Sequence, residues 1–156
     1  MIFICVLLLI IAAESVIKTN REMYGEMGKR QPILGGKLYL TKYHNHGAFL
    51  NMGEKCPWLV KSVSFCLSLI CTALFVLTLG NQGGLLLKTA LAILLGGAYS
   101  NTYDRMVRGY VVDYFGFNVK NKRIKNVVYN ISDFCIVIGA LLAVFSENKK
   151  VGHSFE

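Results

Sequence analysis

Proline and acidic residues are scarce in this 156-residue chain, which has two prolines and nine aspartates and glutamates against 17 lysines and arginines. Because the prolines are Pro32 and Pro57, long apolar stretches run without a helix-breaking residue. Such stretches indicate membrane spans rather than the core of a soluble protein. The length favours a single domain.

Cysteine pairs with the C-x-x-C spacing of zinc and redox sites are also lacking. Cys5, Cys66, Cys71 and Cys135 lie inside apolar runs, and Cys56 lies at the edge of one. We therefore expect neither a disulfide framework nor a zinc site. These cysteines are interpreted as small apolar residues.

The net charge of +8 is spread between the apolar runs rather than gathered in one block. Nucleic-acid binding would need a soluble basic face, and the apolar runs leave little room for one. We therefore assign the basic residues to loops near anionic headgroups. Membrane phospholipids, and not nucleic acid, are the expected partners.

Four apolar segments predict four transmembrane helices, at about residues 1–17, 58–79, 85–101 and 127–145. A helix of about 20 residues crosses the hydrocarbon core, so the first and third segments need an extra turn from their flanks. Residues 1–7 carry no charged side chain, unlike the basic start of a signal peptide. We therefore expect the first segment to remain as an uncleaved span.

Two polar loops separate these segments and lie on the same side of the membrane. The Tyr- and Thr-rich alternation over 37–43 predicts a strand, with 48–50 as a candidate partner, in a small β-cradle at about residues 30–56. Residues 81–84 predict a tight turn. The second loop covers 102–126.

Asp133 lies inside the fourth apolar segment, as the seventh residue counted from Val127. At about 1.5 Å per residue, it would lie about 9 Å below the start of a helix that begins there. A carboxylate at that depth costs about 2.5 kcal/mol or more and needs a polar partner. Asn130, three residues earlier, is predicted to share its helical face. A polar clamp between helices is the alternative to a catalytic role.

Asp113 is a second aspartate in apolar surroundings, between the extended run 110–112 and the aromatic pair 114–115. Two carboxylates held close in a low dielectric share one proton. Such a pair can activate water and protonate a leaving amine. Periodicity does not show that Asp113 and Asp133 meet in space.

Other charged and polar residues allow two interpretations. Asp104-Arg105 is either a weak interfacial ion pair or a support that orients a site. Glu14 and Lys18 have the spacing of an ordinary pair on one helix face. The histidines at 44 and 46 share one face of the predicted strand, but a third ligand at a metal-binding spacing is lacking, so we expect no metal there.

Five polar motifs, in this order along the chain, resemble those of signal peptidase II, the lipoprotein signal peptidase of bacteria. Residues 14–18 are similar to Asp-x-x-x-Lys, 43–49 to Asn-x-Gly-Ala-Phe, 96–105 to Gly-Gly-Ala-x-x-Asn-x-x-Asp-Arg, 109–114 to Val-Val-Asp-Phe, and 130–133 to Asn-x-Ala-Asp.

The resemblance implies an all-α membrane protein, with four transmembrane helices and a small extracytoplasmic β-cradle, in the bacterial cell membrane. Asp113 and Asp133 would be the catalytic dyad that cuts prolipoprotein substrates before a diacylglyceryl-modified cysteine. The resemblance implies neither a metal nor an organic cofactor, and we expect a monomer. The residues that would bind substrate or support the site are Lys18, Asn45, Gly47, Asn101, Asp104, Arg105 and Asn130.

The chain departs from the family motifs at a few positions. Glu14 stands in place of aspartate, Ser132 in place of alanine, and histidines flank Asn45. The family places both polar loops outside, whereas the positive-inside rule alone would place these lysine- and arginine-rich loops in the cytoplasm. The five ordered motifs outweigh the charge count.

Two other functions are open on the residues alone. A small transporter could use buried aspartates to relay protons or cations, although the sequence has no inverted repeat. A non-catalytic scaffold could use Asp133 and Asn130 to hold helices together. Loss of either aspartate would stop precursor cleavage in the peptidase and would impair folding in the scaffold.

Overall fold

The computed structural model describes residues 1–48, 52–80 and 84–152. Most of the candidate strand at 48–50 and of the turn at 81–84 therefore lies outside the described residues. The helices are α1 (Ile2–Tyr24), α2 (Pro57–Leu79), α3 (Leu85–Val107), α4 (Lys122–Lys125) and α5 (Ile131–Gly152), and the strands are β1 (Gln31–Ile33), β2 (Leu38–Asn45) and β3 (Val111–Phe117).

The long helices expose apolar side chains and bury polar ones. Leu8 on α1, Leu67 on α2 and Leu141 on α5 are each more than half exposed, whereas the lysine at position 18 is 1% exposed. This distribution is the reverse of that in a water-soluble protein. Within the described residues, α1 and α2 are long and apolar enough to cross a membrane, and α5 has a shorter apolar stretch over Ile131–Ser146.

Helix α3 lies at the centre and contacts α1, α2 and α5. Glycines allow these close contacts, because a Cβ on Gly97 would overlap the backbone carbonyl of Ser132 and come within 2.9 Å of the Cβ of Cys135. On α5, a Cβ on Gly139 would lie 2.6 Å from the backbone nitrogen of Leu94. Small residues thus bring α3 and α5 together.

Helix α3 ends where the chain must turn towards the sheet. The backbone N–H of Gly109 donates to the carbonyl of Asp104, and Gly109 has φ 88°, a conformation that glycine adopts without strain. The following residues, Val111 and Val112, are β-branched and begin β3. The last turn of α3 and the start of β3 therefore lie side by side.

The three strands form one antiparallel sheet in the order β1-β2-β3. In the β2–β3 register, Tyr43 pairs with Asp113 and Asn45 with Val111. The predicted cradle at 30–56 was therefore incomplete, because the second polar loop supplies the third strand. Ala48, the described residue of the candidate partner strand, lies in a bend.

The fourth long helix begins at Ile131, four residues later than predicted. The residue two before the helix, Tyr129, pairs with the sheet instead. It forms an antiparallel bridge with Phe115 of β3, and its N–H donates to the carbonyl of Phe115 at 2.7 Å. The predicted depth of about 9 Å for Asp133 was therefore wrong. Asp133 lies in the first turn of α5.

Packing at Gly97 predicts the effect of one added methyl group. Gly97→Ala should lower the free energy of unfolding by about 1–3 kcal/mol, because the backbone of Ser132 cannot move away cheaply. Thermal unfolding of the detergent-solubilised protein would measure this loss. Gly80→Ala is the control, since Gly80 has φ −72° and a Cβ there would meet nothing within 4 Å. Equal unfolding temperatures for the two variants would contradict the proposed packing.

Candidate active site

Asn130 joins the two aspartates. Its side-chain Nδ2 donates to Oδ1 of Asp113 at 2.6 Å, and its backbone N–H donates to Oδ2 of Asp133 at 3.2 Å. In return, the N–H of Asp133 donates to Oδ1 of Asn130 at 3.0 Å. This reciprocal pattern is a capping box at the start of α5. Asn130 therefore precedes the helix, and the prediction that it shares a helical face with Asp133 was wrong.

Two further asparagines complete the hydrogen bonding of the carboxylates. Asn45, at the end of β2, donates from Nδ2 to Oδ2 of Asp113 at 3.0 Å. Asn101, on α3, donates from Nδ2 to Oδ1 of Asp133 at 2.9 Å. Each of the four carboxylate oxygens thus accepts one N–H. These bonds hold Asp113 on β3 and Asp133 on α5 in fixed orientations.

Lys18 is a buried cation that orients Asn101. Its Nζ donates to Oδ1 of Asn101 at 2.8 Å and to Oγ of Ser100 at 2.9 Å. The Nζ also lies 3.1 Å from Oδ2 of Asp104 and 3.6 Å from Oε2 of Glu14. Because the amide oxygen of Asn101 faces Lys18, its NH₂ group faces the aspartate on α5.

Asp104 connects α3 to the strand that carries Asp113. Its Oδ2 accepts the backbone N–H of Val112 at 3.3 Å. Its ion pairs are with Lys18 and with Arg108, whose Nη1 lies 3.5 Å from Oδ1. Asp104 is therefore a support of β3 rather than the partner of its sequence neighbour, Arg105.

Arg105 holds the chain beyond β2. Its Nη2 donates to the carbonyl of Gly47 at 2.9 Å, and the N–H of Gly47 donates to Oδ1 of Asn45 at 3.0 Å. The Nε of Arg105 is buried and has no hydrogen-bond partner among the described residues. This N–H is a donor that a bound molecule could use.

A cavity of about 220 Å³ opens beside Asp133. Asn45, Asn101 and Arg105 form its polar part. Asp113 does not line the cavity and is 1% exposed, but it accepts a hydrogen bond from Asn45, which does line it. The remaining wall is largely apolar and is formed by Ala48, Val111, Val127, Val128, Tyr129, Ile136 and Val137.

The burial of Asp113 changes its acidity. Removal from water raises the pKa of Asp113 to about 7, and the nearby charge of Asp133 acts in the same direction. The amides of Asn130 and Asn45 and the charge of Lys18 oppose this rise. The arrangement can therefore hold one proton on a pair of carboxyl groups near neutral pH.

The family model that describes Signal peptidase (SPase) II matches residues 2–148. The chain belongs to the signal peptidase II family. Similar proteins include the lipoprotein signal peptidases of Bacillus subtilis, 30% identical over 142 residues (91% of this chain and 90% of the relative), and of Brevibacillus brevis, 30% identical over 144 residues (90% and 93%). The one from Alteromonas mediterranea is 37% identical over 108 residues, which cover 67% of this chain and 57% of that protein.

Two solved structures, both described as bacterial membrane enzymes, have the same fold as this signal peptidase II family member. One has a TM-score of 0.81 at 21% identity and covers 97% of this chain and 90% of its own. The other has a TM-score of 0.74 at 22% identity, with coverage of 92% and 90%. At these identities the likeness concerns the fold alone.

The structure brings the residues predicted for the site into one hydrogen-bonded group. Sequence reasoning missed Glu14, Tyr114 and Ser132, which adjoin that group. The sequence did carry a signal at Glu14. Burying its carboxylate in an apolar segment costs as much free energy as burying that of Asp133, so Glu14 also needs polar partners. Its spacing from Lys18 is that of an ordinary pair on one helix face, and this spacing does not indicate the contacts of Glu14 with Tyr114 and Ser132.

The histidines near Asn45 have partners outside this group. Nε2 of His44 lies 2.9 Å from Oε2 of Glu22, and its ring stacks on Tyr110 at 3.8 Å. His46 meets the same tyrosine edge-on at 5.6 Å. In the described ranges, no three His, Cys, Asp or Glu side chains are grouped as metal ligands.

The pKa of Asp113 predicts how stability depends on pH. Because the folded-state pKa, about 7, exceeds the ordinary value of 3.8, the folded protein binds a proton that the unfolded chain releases. The contribution of Asp113 to stability is therefore complete below about pH 4 and is lost as the pH rises through about 7. Unfolding temperatures measured from pH 4 to 8 should fall more steeply for the wild type than for Asp113→Asn.

Glu26→Gln is the control for this measurement, because Glu26 is exposed and its removal should leave the slope unchanged. A slope in Asp113→Asn equal to that of the wild type would show that Asp113 does not bind the proton.

Proposed function

We propose that this chain removes signal peptides from diacylglyceryl-modified prolipoproteins and cuts before the lipidated cysteine. Membership of the signal peptidase II family supports the peptidase over a transporter or a scaffold. We further propose that Asp113 and Asp133 form an aspartic dyad. The observation that carries this proposal is that Asn130 binds both carboxylates, one of which, Asp133, lines a largely apolar cavity.

In the proposed reaction, Asp113 holds the shared proton and Asp133 is ionised. The buried position of Asp113 supports the first assignment. The second is supported by the position of Asp133 at the N-terminus of α5, where the helix dipole favours negative charge, and by its opening onto the cavity.

The ionised Asp133 takes a proton from water, and the hydroxide oxygen forms a bond to the scissile carbonyl carbon. The proton of Asp113 passes to the carbonyl oxygen and gives a neutral tetrahedral diol. Asp113, now ionised, takes back a proton from this diol, while Asp133 protonates the leaving amine as the C–N bond breaks. Both carboxyl groups return to their starting states.

The cavity fits an extended peptide next to a lipid-modified residue. Its valine and isoleucine wall suits the apolar side chains of a signal peptide. The buried N–H at Nε of Arg105 would donate to a substrate carbonyl. The other site residues orient the dyad and do not exchange protons with the substrate.

We also propose that α1, α2, α3 and α5 cross a bacterial cell membrane and that the chain is one membrane domain over residues 1–156. The exposed apolar side chains of these helices support a lipid surround, with phospholipids as neighbours. Because the dyad adjoins the sheet, the sheet and the active site lie on the same side of the membrane. We propose that this is the extracytoplasmic side. One copy contains every proposed site residue, which is consistent with a monomer.

Replacement of either aspartate tests the dyad. Asp113→Asn and Asp133→Asn should each lower kcat for a purified, lipidated prolipoprotein by at least about 100-fold, because each variant lacks one of the two proton-transfer groups. Cleavage is measured by mass spectrometry of the released signal peptide. Glu26→Gln, which removes an exposed carboxylate, should retain activity. Cleavage at the wild-type rate by either asparagine variant refutes the dyad.

Labelling tests the orientation. All five native cysteines are replaced first, and Lys29→Cys then adds one thiol in the exposed segment before β1. An impermeant thiol reagent should label this cysteine in intact cells from the extracytoplasmic side. Gly80→Cys places a thiol at the C-terminal end of α2, on the proposed cytoplasmic side. The reagent should label it only after the membrane is permeabilised. The reverse result would overturn the proposed orientation.

A further inference from the structure

Glu14 is a buried carboxylate that the proposed reaction does not use. It lies within α1, is 1% exposed and does not line the cavity beside Asp133. A buried charge is strongly destabilising unless it is paired and hydrogen-bonded. The hydrogen-bond partners of Glu14 should therefore show what its carboxylate stabilises.

Both oxygens of Glu14 accept hydrogen bonds from residues adjacent to the aspartates. The hydroxyl of Tyr114 donates to Oε1 at 2.5 Å. The hydroxyl of Ser132 donates to Oε2 at 2.5 Å, and its backbone N–H donates to the same oxygen at 3.1 Å. Tyr114 follows Asp113 in β3, and Ser132 precedes Asp133 in α5. One carboxylate on α1 thus holds the chain neighbours of both aspartates.

Tyr114 makes a second link between β3 and α5. Its hydroxyl oxygen accepts the backbone N–H of Ile131 at 3.1 Å. Tyr114 is 4% exposed and Ser132 is fully buried, so water does not compete for these bonds. The first turn of α5 is therefore fixed to the strand by contacts on the side of Glu14 as well as by Asn130.

The separation between the aspartates matters because, in the proposed reaction, both carboxyl groups must reach the same scissile bond. A displacement of about 1 Å at a catalytic group can cost about 100-fold in rate. Asn130 and the bridge between Phe115 and Tyr129 hold the strand beside the start of α5, and the hydrogen bonds to Glu14 add a support at the first turn of the helix.

We propose that Glu14, Tyr114 and Ser132 form a brace that sets the separation of Asp113 and Asp133 and are positioning residues for the peptidase reaction. This proposal rests on the function proposed above. The brace touches neither the substrate cavity nor the aspartate side chains and acts through the backbone. Its loss should therefore lower kcat and leave KM unchanged.

The test removes hydroxyl groups and retains the shape of each side chain. Tyr114→Phe and Ser132→Ala should each lower kcat for a synthetic lipidated prolipoprotein peptide by about 10-fold, with KM within about twofold of the wild type. In the double variant, the loss should be smaller than the product of the single losses, because both hydroxyls bind one carboxylate.

Two controls remove equally buried hydroxyls elsewhere. Tyr39→Phe deletes a hydroxyl that donates to the carbonyl of Lys125 at 2.7 Å, and Ser68→Ala deletes one that bonds to Thr102 at 3.0 Å. Tyr39 and Ser68 are each 3% exposed. These variants should lose a comparable amount of thermal stability and retain kcat within about twofold.

The outcomes separate the brace from the proposed function. If the wild type cleaves the peptide and the brace variants keep kcat like the controls, the brace is refuted and the peptidase function stands. Independent losses that multiply in the double variant, or a rise in KM in place of a fall in kcat, also refute the brace. If the wild type does not cleave the peptide, the proposed function fails and the brace fails with it.

Discussion

The ammonium group of Lys18 is the contact on which the rest of the site depends. It is 1% exposed and has Asp104 and Glu14 as charged neighbours and Asn101 as a hydrogen-bond acceptor. A lone ammonium in this interior would be very costly, and so would either carboxylate without it. The ion pair between Lys18 and Asp104 and the hydrogen bond between Lys18 and Asn101 therefore hold α1 to α3. From this centre, Asn101 reaches one aspartate, and Asp104 supports the strand that bears the other.

The surrounding lipid makes such an interior possible. In water, apolar side chains collect inside and drive folding, whereas here the helices turn residues such as Leu67 outwards. Burial of apolar area contributes little to helix association in lipid, so specific polar contacts and close packing have to supply it. The contact at Gly97 supplies packing, and the asparagines supply hydrogen bonds. The residues that hold the helices together are thus largely those that shape the site.

The sequence allowed the grouping of Asp113, Asp133 and Asn130 to be anticipated, because their ordered motifs resemble one family. It did not reveal the role of β3, since a strand selects its partner by tertiary contacts far along the chain. The start of α5 was predicted too early because residues 127–129 are apolar. A short apolar run is compatible with a helix and with an extended segment, so the sequence does not distinguish the two. Glu14 and Ser132, interpreted separately as departures from the motifs, contact each other, and a linear pattern does not show this.

The strand order has a consequence for biosynthesis. Asp113 leaves the ribosome with β3, and its partner strand β2 is already present, so this half of the site can form on the incomplete chain. Asp133 arrives with α5, the last of the long helices. A nascent chain that ends after β3 therefore lacks both Asp133 and the cap at Asn130. The proposed dyad is therefore complete only after α5 has been synthesised, so a shorter nascent chain lacks the pair of carboxylates that the proposed cleavage needs.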